Sequence, residues 1–288
     1  MIAAIRAEFR KLFSTRMWWI LALGMVAYLG LIGFGLAALL GSAKTGRLGD
    51  VVSTANLGTL GSDTDDDLRS VVYGLAPTLG YVFPAIIGAM GLTSEYRHHT
   101  IVPTLLAEPR RPVVAVAKIL ASIPMGAVLG IVGTAACVLA GAGGFAVGGL
   151  STGLDSIDTW RAAALSALAL TIWALVGAGL GMLVTSQVGA IVALLVFTQL
   201  VEPLARLVLM MNEHLSGIAR FLPGAAGEAV TGQPSIYSAM TISTSVGGPI
   251  TAAPVAPLTV WQAALVLCGY ALFFGIVGYW TRFRRDVS

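Results

Sequence analysis

The sequence predicts an all-α integral membrane protein with six transmembrane helices and with both termini in the cytoplasm. Three observations lead to this fold class. Of the 288 residues, 57% are hydrophobic and 11% are charged, with a mean hydropathy of +0.86, whereas soluble domains carry about 25% charged residues. The hydrophobic residues form six runs that are long enough to cross a bilayer as helices. The basic residues cluster at alternate ends of these runs, which sets an orientation.

One transmembrane domain is predicted to occupy residues 1–288. Its elements are an amphipathic helix at 1–16, spans at 17–41, 71–92, 114–140, 162–185, 189–211 and 259–280, an inner loop at 93–112 and an outer region at 212–258. The first helix has one apolar face, formed by Ile2, Ile5, Phe9 and Leu12, as expected of a helix on the inner membrane surface. A signal peptide is the alternative for the first run, because Gly41 and Ala43 resemble a cleavage site. The run is longer than the roughly 7–15 apolar residues of a signal peptide.

The distribution of lysine and arginine gives the orientation. Four lie in the N-terminal segment, four in or just after the loop between the second and third spans and three in the C-terminal tail, together eleven of 17. With six spans these three regions share one side, and basic loops stay in the cytoplasm. The other side holds most of the acidic residues. The expected location is the plasma (cytoplasmic) membrane of a prokaryotic cell. The net charge of +3 is dispersed, so nucleic acid is not an expected partner.

We find no motif for catalysis or for metal binding. Lys44–Thr45 lacks the leading glycine of a phosphate-binding loop, and His98 and His99 are adjacent rather than spaced as zinc ligands. The chain also lacks the Gly-x-Ser-x-Gly turn of a serine hydrolase. The sequence therefore predicts a chain that is not an enzyme by itself and that has no cofactor or metal of its own.

The inner loop at 93–112 is the most informative segment. Glu95, Arg97 and Thr100 stand at the end of the second span, and a short apolar stretch follows before Pro109-Arg110-Arg111-Pro112. This pattern predicts a short amphipathic helix that lies parallel to the membrane between two proline-containing boundaries. An ordinary positively charged loop is the alternative.

This order of residues resembles the permease subunits of type 2 ABC exporters. The shared pattern is Glu-x-Arg-x-x-Thr-Ile, then Leu-Leu, then Pro-x-Arg, then a lysine at the start of the next span. The N-terminal AEFRKLFSTRMWW, the triplet Val201-Glu202-Pro203 and the segment 218–223 are similar to that family as well, so the resemblance extends over the whole chain. The family often has glycine at the position of His99.

The resemblance implies that ATP and Mg²⁺ bind to a separate ATP-binding-cassette subunit. Two permeases, identical or homologous, and two ATPase subunits would form the exporter, with a path between the permeases for a hydrophobic or amphipathic compound (drug, antibiotic, lipid or peptide). The inner loop would be the coupling helix that docks on the ATPase. The residues implied in coupling are Glu95, Tyr96, Arg97, Thr100, Ile101, Leu105, Leu106, Pro109 and Arg110. Among them, Ile101, Leu105 and Leu106 would fill a groove of the ATPase.

Two features of the outer half leave alternatives open. Glu202 and Arg206 lie four residues apart on one face of the fifth span, so they are expected to pair away from lipid. The pair is either structural or part of an exit gate. The outer region at 212–258 is too long for a plain connector, and short re-entrant helices or a disordered loop would both account for it.

Two other functions compete with export. An ion-coupled secondary transporter would use Glu202 as its proton site, but we find no inverted repeat. A membrane subunit that anchors or senses for an ATPase without transport is the second alternative.

Overall fold

A computed structural model describes residues 2–46, 65–184, 186–210, 215–232 and 257–283. Within these ranges the chain forms helices and turns and contains no strand. Six helices in the described part of the chain are long and apolar enough to cross a membrane. These findings confirm the all-helical class and the six apolar helices that the composition predicts. The acidic residues Asp50 and Asp63 and most of the C-terminal basic tail lie outside the described residues.

The helices are, in chain order, α1 (Ile2–Ser14), α2 (Met17–Lys44), α3 (Asp65–Tyr73), α4 (Leu75–Gly80), α5 (Val82–Arg97), α6 (Ile101–Ala107), α7 (Arg111–Gly148), α8 (Ile157–Leu183), α9 (Gln187–Val196), α10 (Glu202–Met210), α11 (Ser216–Ala219), α12 (Pro223–Ala229) and α13 (Val260–Gly278). Two π-helical turns, Phe197–Val201 and Tyr279–Phe283, follow α9 and α13.

The six long helices extend beyond most of the predicted spans. Their bounds are Met17–Lys44, Asp65–Arg97, Arg111–Gly148, Ile157–Leu183, Gln187–Leu209 and Val260–Thr281. We refer to them as the first to sixth spans. The third span is the longest because α7 continues for several residues past the 114–140 run at both ends. The predicted ends Thr185 and Met211 lie outside the described residues.

Proline accounts for the irregular second and fifth spans. Because proline has no N–H group, it removes one hydrogen bond from a helix and disturbs the preceding turn. The second span is divided into α3, α4 and α5, with Pro77 in α4 and Pro84 in α5. In the fifth span the π-helical turn comes directly before Glu202 and Pro203.

The third and fourth spans form the centre of the bundle. The third span packs against the first span, the fourth span and α1, and the fourth also packs against α5 and α13. Close approach depends on glycine. A Cβ atom at Gly130 would lie 2.6 Å from the carbonyl oxygen of Ala167, and one at Gly177 would overlap the carbonyl of Ala85. Glycine at these two positions therefore sets the distance between neighbouring backbones.

Candidate functional site: a surface helix and two buried ionic clusters

A tight turn separates α5 from α6. The backbone N–H of Thr100 donates to the carbonyl oxygen of Glu95 at 2.9 Å, and that of His99 donates to Tyr96 at 3.4 Å. His99 has φ of 55°, in the left-handed region where helices usually end on glycine. The turn ends the second span and starts α6 in a new direction. A histidine thus takes a backbone conformation that glycine adopts more readily.

One side of α6 is anchored to its own chain. Ile101 is only 2% exposed and packs in a cluster with Leu92, Val114 and Met182. Leu105 is partly buried against the same cluster. The sequence-based expectation was that Ile101 enters a groove of the ATPase. In the structure its side chain is already enclosed by the spans of its own chain.

The opposite side of α6 exposes apolar side chains. Leu106 is 77% exposed, and Val102 is exposed as well. Of the three apolar residues expected in the ATPase groove, Leu106 is therefore the one that remains available. Val102, which the resemblance did not include, lies on the same short helix.

Four charged residues form what we call the inner cluster: Glu8, Lys11, Glu95 and Lys118. Lys11 Nζ lies 2.9 Å from Glu8 Oε1 and 2.8 Å from Glu95 Oε1. Lys118 Nζ lies 2.9 Å from Glu8 Oε2 and 2.9 Å from Glu95 Oε1. Each carboxylate therefore contacts both lysines. The cluster joins α1, the end of the second span and the start of the third.

The inner cluster is balanced in charge and mostly enclosed. Glu8, Glu95 and Lys118 are buried, whereas the side chain of Lys11 is 48% exposed. Burial alone would lower the pKa of Lys11, but its hydrogen bonds to Glu95 and Glu8 outweigh this, so its pKa lies above the ordinary 10.5. The second carboxylate oxygen of Glu95, Oε2, is buried and has no hydrogen-bond partner within the described part of the chain.

Thr104 connects α6 to this cluster. Lys11 Nζ donates to Thr104 Oγ1 at 3.3 Å, and Thr104 Oγ1 lies 3.4 Å from Glu95 Oε1. A displacement of α6 would consequently change the contacts of two charged groups at the inner ends of the helices.

The remaining residues implied in coupling surround the same turn. Arg97 Nη1 donates to Gln187 Oε1 at 3.2 Å, which ties the second span to the start of the fifth. Tyr96 is partly buried against the cluster that holds Ile101. Thr100, Pro109 and Arg110 are exposed at the two ends of α6.

Three charged residues form the outer cluster: Glu202, Arg206 and Glu228. Arg206 Nη2 lies 2.6 Å from Glu202 Oε1, and Arg206 Nη1 lies 3.3 Å from Glu228 Oε2. All three residues are buried, and Glu202 is only 2% exposed. The structure thus pairs the two residues whose spacing predicts a pair, and it adds a second carboxylate from α12.

Backbone groups complete the surroundings of Glu202. The N–H of Gly224 donates to Glu202 Oε2 at 2.9 Å, and the N–H of Ala225 donates to Glu202 Oε1 at 3.0 Å. These two N–H groups belong to the first turn of α12, where helical N–H groups have no partner within the helix. Glu202 therefore holds the start of α12 against the fifth span.

The outer region is partly described. The helices α11 and α12 lie in it, whereas residues 212–214 and 233–256 lie outside the described ranges. The short helices agree with the expectation of helical outer segments. Their re-entrant position in the membrane stays a prediction.

Sequence reasoning missed four members of the two clusters: Glu8, Lys11, Lys118 and Glu228. Lys118 carried a usable signal, because a lysine within an apolar run must find a partner or reach water. Glu8 carried a weaker one, as the one acidic residue of an otherwise basic N-terminal segment. The partner choices themselves depend on how distant helices pack.

A scan against protein-family models found no match, and a search of curated proteins found none. The likeness to exporter permeases therefore rests on the residues quoted above. Among the described residues, no group of three or more His, Cys, Asp or Glu side chains is arranged to hold a metal ion.

Proposed function

We propose that this chain is the membrane subunit of an ATP-driven exporter of the type 2 ABC class, located in the cytoplasmic membrane. A separate ATP-binding-cassette subunit, in two copies, would supply the energy and bind ATP and Mg²⁺. A second permease copy or a homologue would complete the path for a hydrophobic or amphipathic compound. The first, fifth and sixth spans leave room for such a partner, because only 22% of the residues in the most apolar part of each are buried within the chain.

The observation that carries the proposal is the position of α6. It lies between two spans, presents Leu106 to solvent and is tied through Thr104 to the inner cluster. A helix of this kind is suited to pass a displacement from a bound ATPase to the spans, because α6 and the spans share the contacts of the same charged groups. A plain hydrophilic loop would need neither the buried Ile101 nor the exposed Leu106.

The two rival functions are less well supported. A proton carrier needs an accessible carboxylate, but Glu202 already accepts hydrogen bonds from Arg206 and from the N–H groups of Gly224 and Ala225. A transported ion would have to displace all three donors. A non-transporting anchor would also bind an ATPase, so only a transport measurement separates it from an exporter.

The first experiment tests the subunit composition and the activity together. The chain would be purified from its native membrane in mild detergent, reconstituted in vesicles and assayed for ATP hydrolysis and nucleotide-dependent export of lipophilic dyes. We expect a stoichiometric ATP-binding-cassette subunit and transport that stops when Mg²⁺ is removed. Purification without such a subunit would contradict the proposal, and ATP hydrolysis without transport of any tested compound would favour the anchor.

A matched pair of variants tests the role of α6. Leu106→Ser is expected to weaken ATPase binding, because it removes the exposed apolar side chain from the proposed docking helix. Ile157→Ser is the control, since Ile157 is equally exposed, at 78% compared with 77%, but lies at the start of the fourth span. If the two variants bind the ATPase equally well, α6 is not part of the interface.

Orientation is tested by labelling. In a background in which Cys137 and Cys268 are replaced by alanine, Asp155→Cys is expected to react with an impermeant maleimide added to intact cells or spheroplasts. His98→Cys is expected to react only after the membrane is opened. Labelling of the His98 site from outside would reverse the proposed orientation.

A further inference from the structure

The helix α1 has two faces with different charge environments. Glu8 points into the inner cluster and is buried. Arg6 and Arg10 lie two residues on either side of it, which places them about 160–200° around the helix, on the opposite face. Both arginines are exposed. The same helix therefore carries a neutralised buried charge on one face and two exposed positive charges on the other.

The two arginines have no counter-charge in the described part of the chain. Neither guanidinium group forms a hydrogen bond or an ion pair with a described residue, whereas Lys11, one position from Arg10, contacts two carboxylates. Two like charges four residues apart on one helix face repel each other. An external anion would relieve this repulsion.

The location of α1 indicates which anion this is. Only two residues, Thr15 and Arg16, separate α1 from the first span. Phe9, between the arginines, is exposed, and its ring is part of an aromatic row with Phe13 and Trp18, with centroid distances of 4.3 and 5.7 Å. Aromatic side chains beside arginines at the end of a span are typical of the level of lipid head groups.

We propose that Arg6 and Arg10 on α1 bind the head groups of anionic phospholipids in the leaflet that faces α6. This inference goes beyond the proposed export function and requires only that the six apolar helices lie in a bilayer. Charge complementarity carries it: the arginines supply two unpaired cations, and anionic lipid supplies phosphate groups at the same depth. Phe9 inserts its ring between the acyl chains next to the bound head groups.

The test uses the full-length chain in vesicles of phosphatidylcholine that contain a trace of spin-labelled lipid. Electron paramagnetic resonance gives the association of labelled phosphatidylglycerol relative to labelled phosphatidylcholine at the protein surface. We expect the native chain to prefer phosphatidylglycerol and the preference to fall with added salt, since exposed charges are screened. The Arg6→Gln/Arg10→Gln variant should lose most of this preference, up to about fivefold for each arginine.

Two further variants keep the test specific. Arg161→Gln/Arg220→Gln removes two exposed arginines elsewhere and is expected to retain the preference. Arg6→Lys/Arg10→Lys keeps the charge and is expected to retain it as well. The proposal is overturned by an unchanged preference in Arg6→Gln/Arg10→Gln, by an equal loss in the Arg161/Arg220 control, or by a loss in the lysine variant. If the glutamine variant keeps its lipid preference but no longer binds an ATPase subunit, the arginines contact a protein instead of lipid.

Discussion

The inner and outer clusters both attach a short helix to the long spans, but they differ in how their charges are balanced. Each fastens a short helix to the long spans with buried charges, α1 in the first case and α12 in the second. The inner cluster has two lysines for two carboxylates, and each carboxylate contacts both lysines. Among the described residues, the outer cluster has one arginine that contacts both carboxylates, and the N–H groups of Gly224 and Ala225 also donate to Glu202.

The two clusters therefore differ in whether a second cation can replace one that is lost. Loss of one lysine in the inner cluster leaves another within contact of both carboxylates. Loss of Arg206 removes the cation that both carboxylates of the outer cluster contact. Removing the partner of a buried charge costs far more than the pair itself contributes, because the remaining charge stays desolvated. The outer cluster should therefore be the more sensitive of the two.

The largest effect is expected for Arg206→Gln. We expect the free energy of unfolding to fall by about 3–5 kcal/mol, because Glu202 and Glu228 are left without their shared cation. Chemical denaturation of the purified chain in detergent would measure it. The combined change Arg206→Gln/Glu202→Gln should cost less than the sum of the two single changes. Strictly additive losses would show that the two side chains are stabilised independently. If the double variant regains stability but not transport, the pair is part of a gate. If it regains both, the pair is structural.

A smaller loss, about 2–3 kcal/mol, is expected for Lys118→Gln. Lys118 is buried, donates a charged hydrogen bond to Glu8 and pairs with Glu95, but Lys11 continues to contact both carboxylates. The same denaturation experiment applies, with Lys44→Gln as the control, since Lys44 forms a half-exposed pair with Asp65. A loss for Lys118→Gln as large as that for Arg206→Gln would mean that Lys11 gives no redundancy.

The variants Glu202→Gln and Glu228→Gln should differ by about 1–2 kcal/mol in the free energy of unfolding. Glu202→Gln breaks the 2.6 Å contact with Arg206 and weakens both bonds to α12, whereas Glu228→Gln removes contacts of 3.3–3.4 Å and leaves the contact between Glu202 and Arg206 in place. We therefore expect Glu228→Gln to be the milder change in thermal unfolding. The reverse order would assign the main role in fastening α12 to Glu228.

The smallest effect, below about 1 kcal/mol at neutral pH, is expected for Lys11→Gln, because Lys11 is half exposed to solvent. Its folded-state pKa is raised above 10.5, so its stabilising contribution is complete below that pH and is lost as the pH rises through the folded-state value. Unfolding curves of the native chain and of Lys11→Gln should hence converge above pH 10.5. If the difference in stability between the native chain and Lys11→Gln grows with pH in this range, the charge of Lys11 is not the source of its contribution.

The clusters also show which parts of the structure are local. The pair Glu202–Arg206 could be predicted because residues four apart on a helix are neighbours whatever surrounds them. Glu8 and Lys118 are separated by 110 positions, and Glu228 meets Arg206 only because the chain turns back into α12. Nothing local in the sequence specifies these partners. The same applies to Ile101 and Leu106, which are both apolar and differ in exposure because only one face of α6 packs on the spans.

The sequence by itself determined the number of apolar helices, their order and the position of the short helix between the second and third spans. Length, hydropathy and proline placement act over a few turns, so each can be evaluated without knowing the rest of the chain. Tertiary structure alone decided which charges meet, which side of α6 is available to a partner and which face of α1 keeps free arginines. Those outcomes depend on the packing of helices that lie far apart in sequence, where a small rotation of one helix exchanges its buried and exposed side chains.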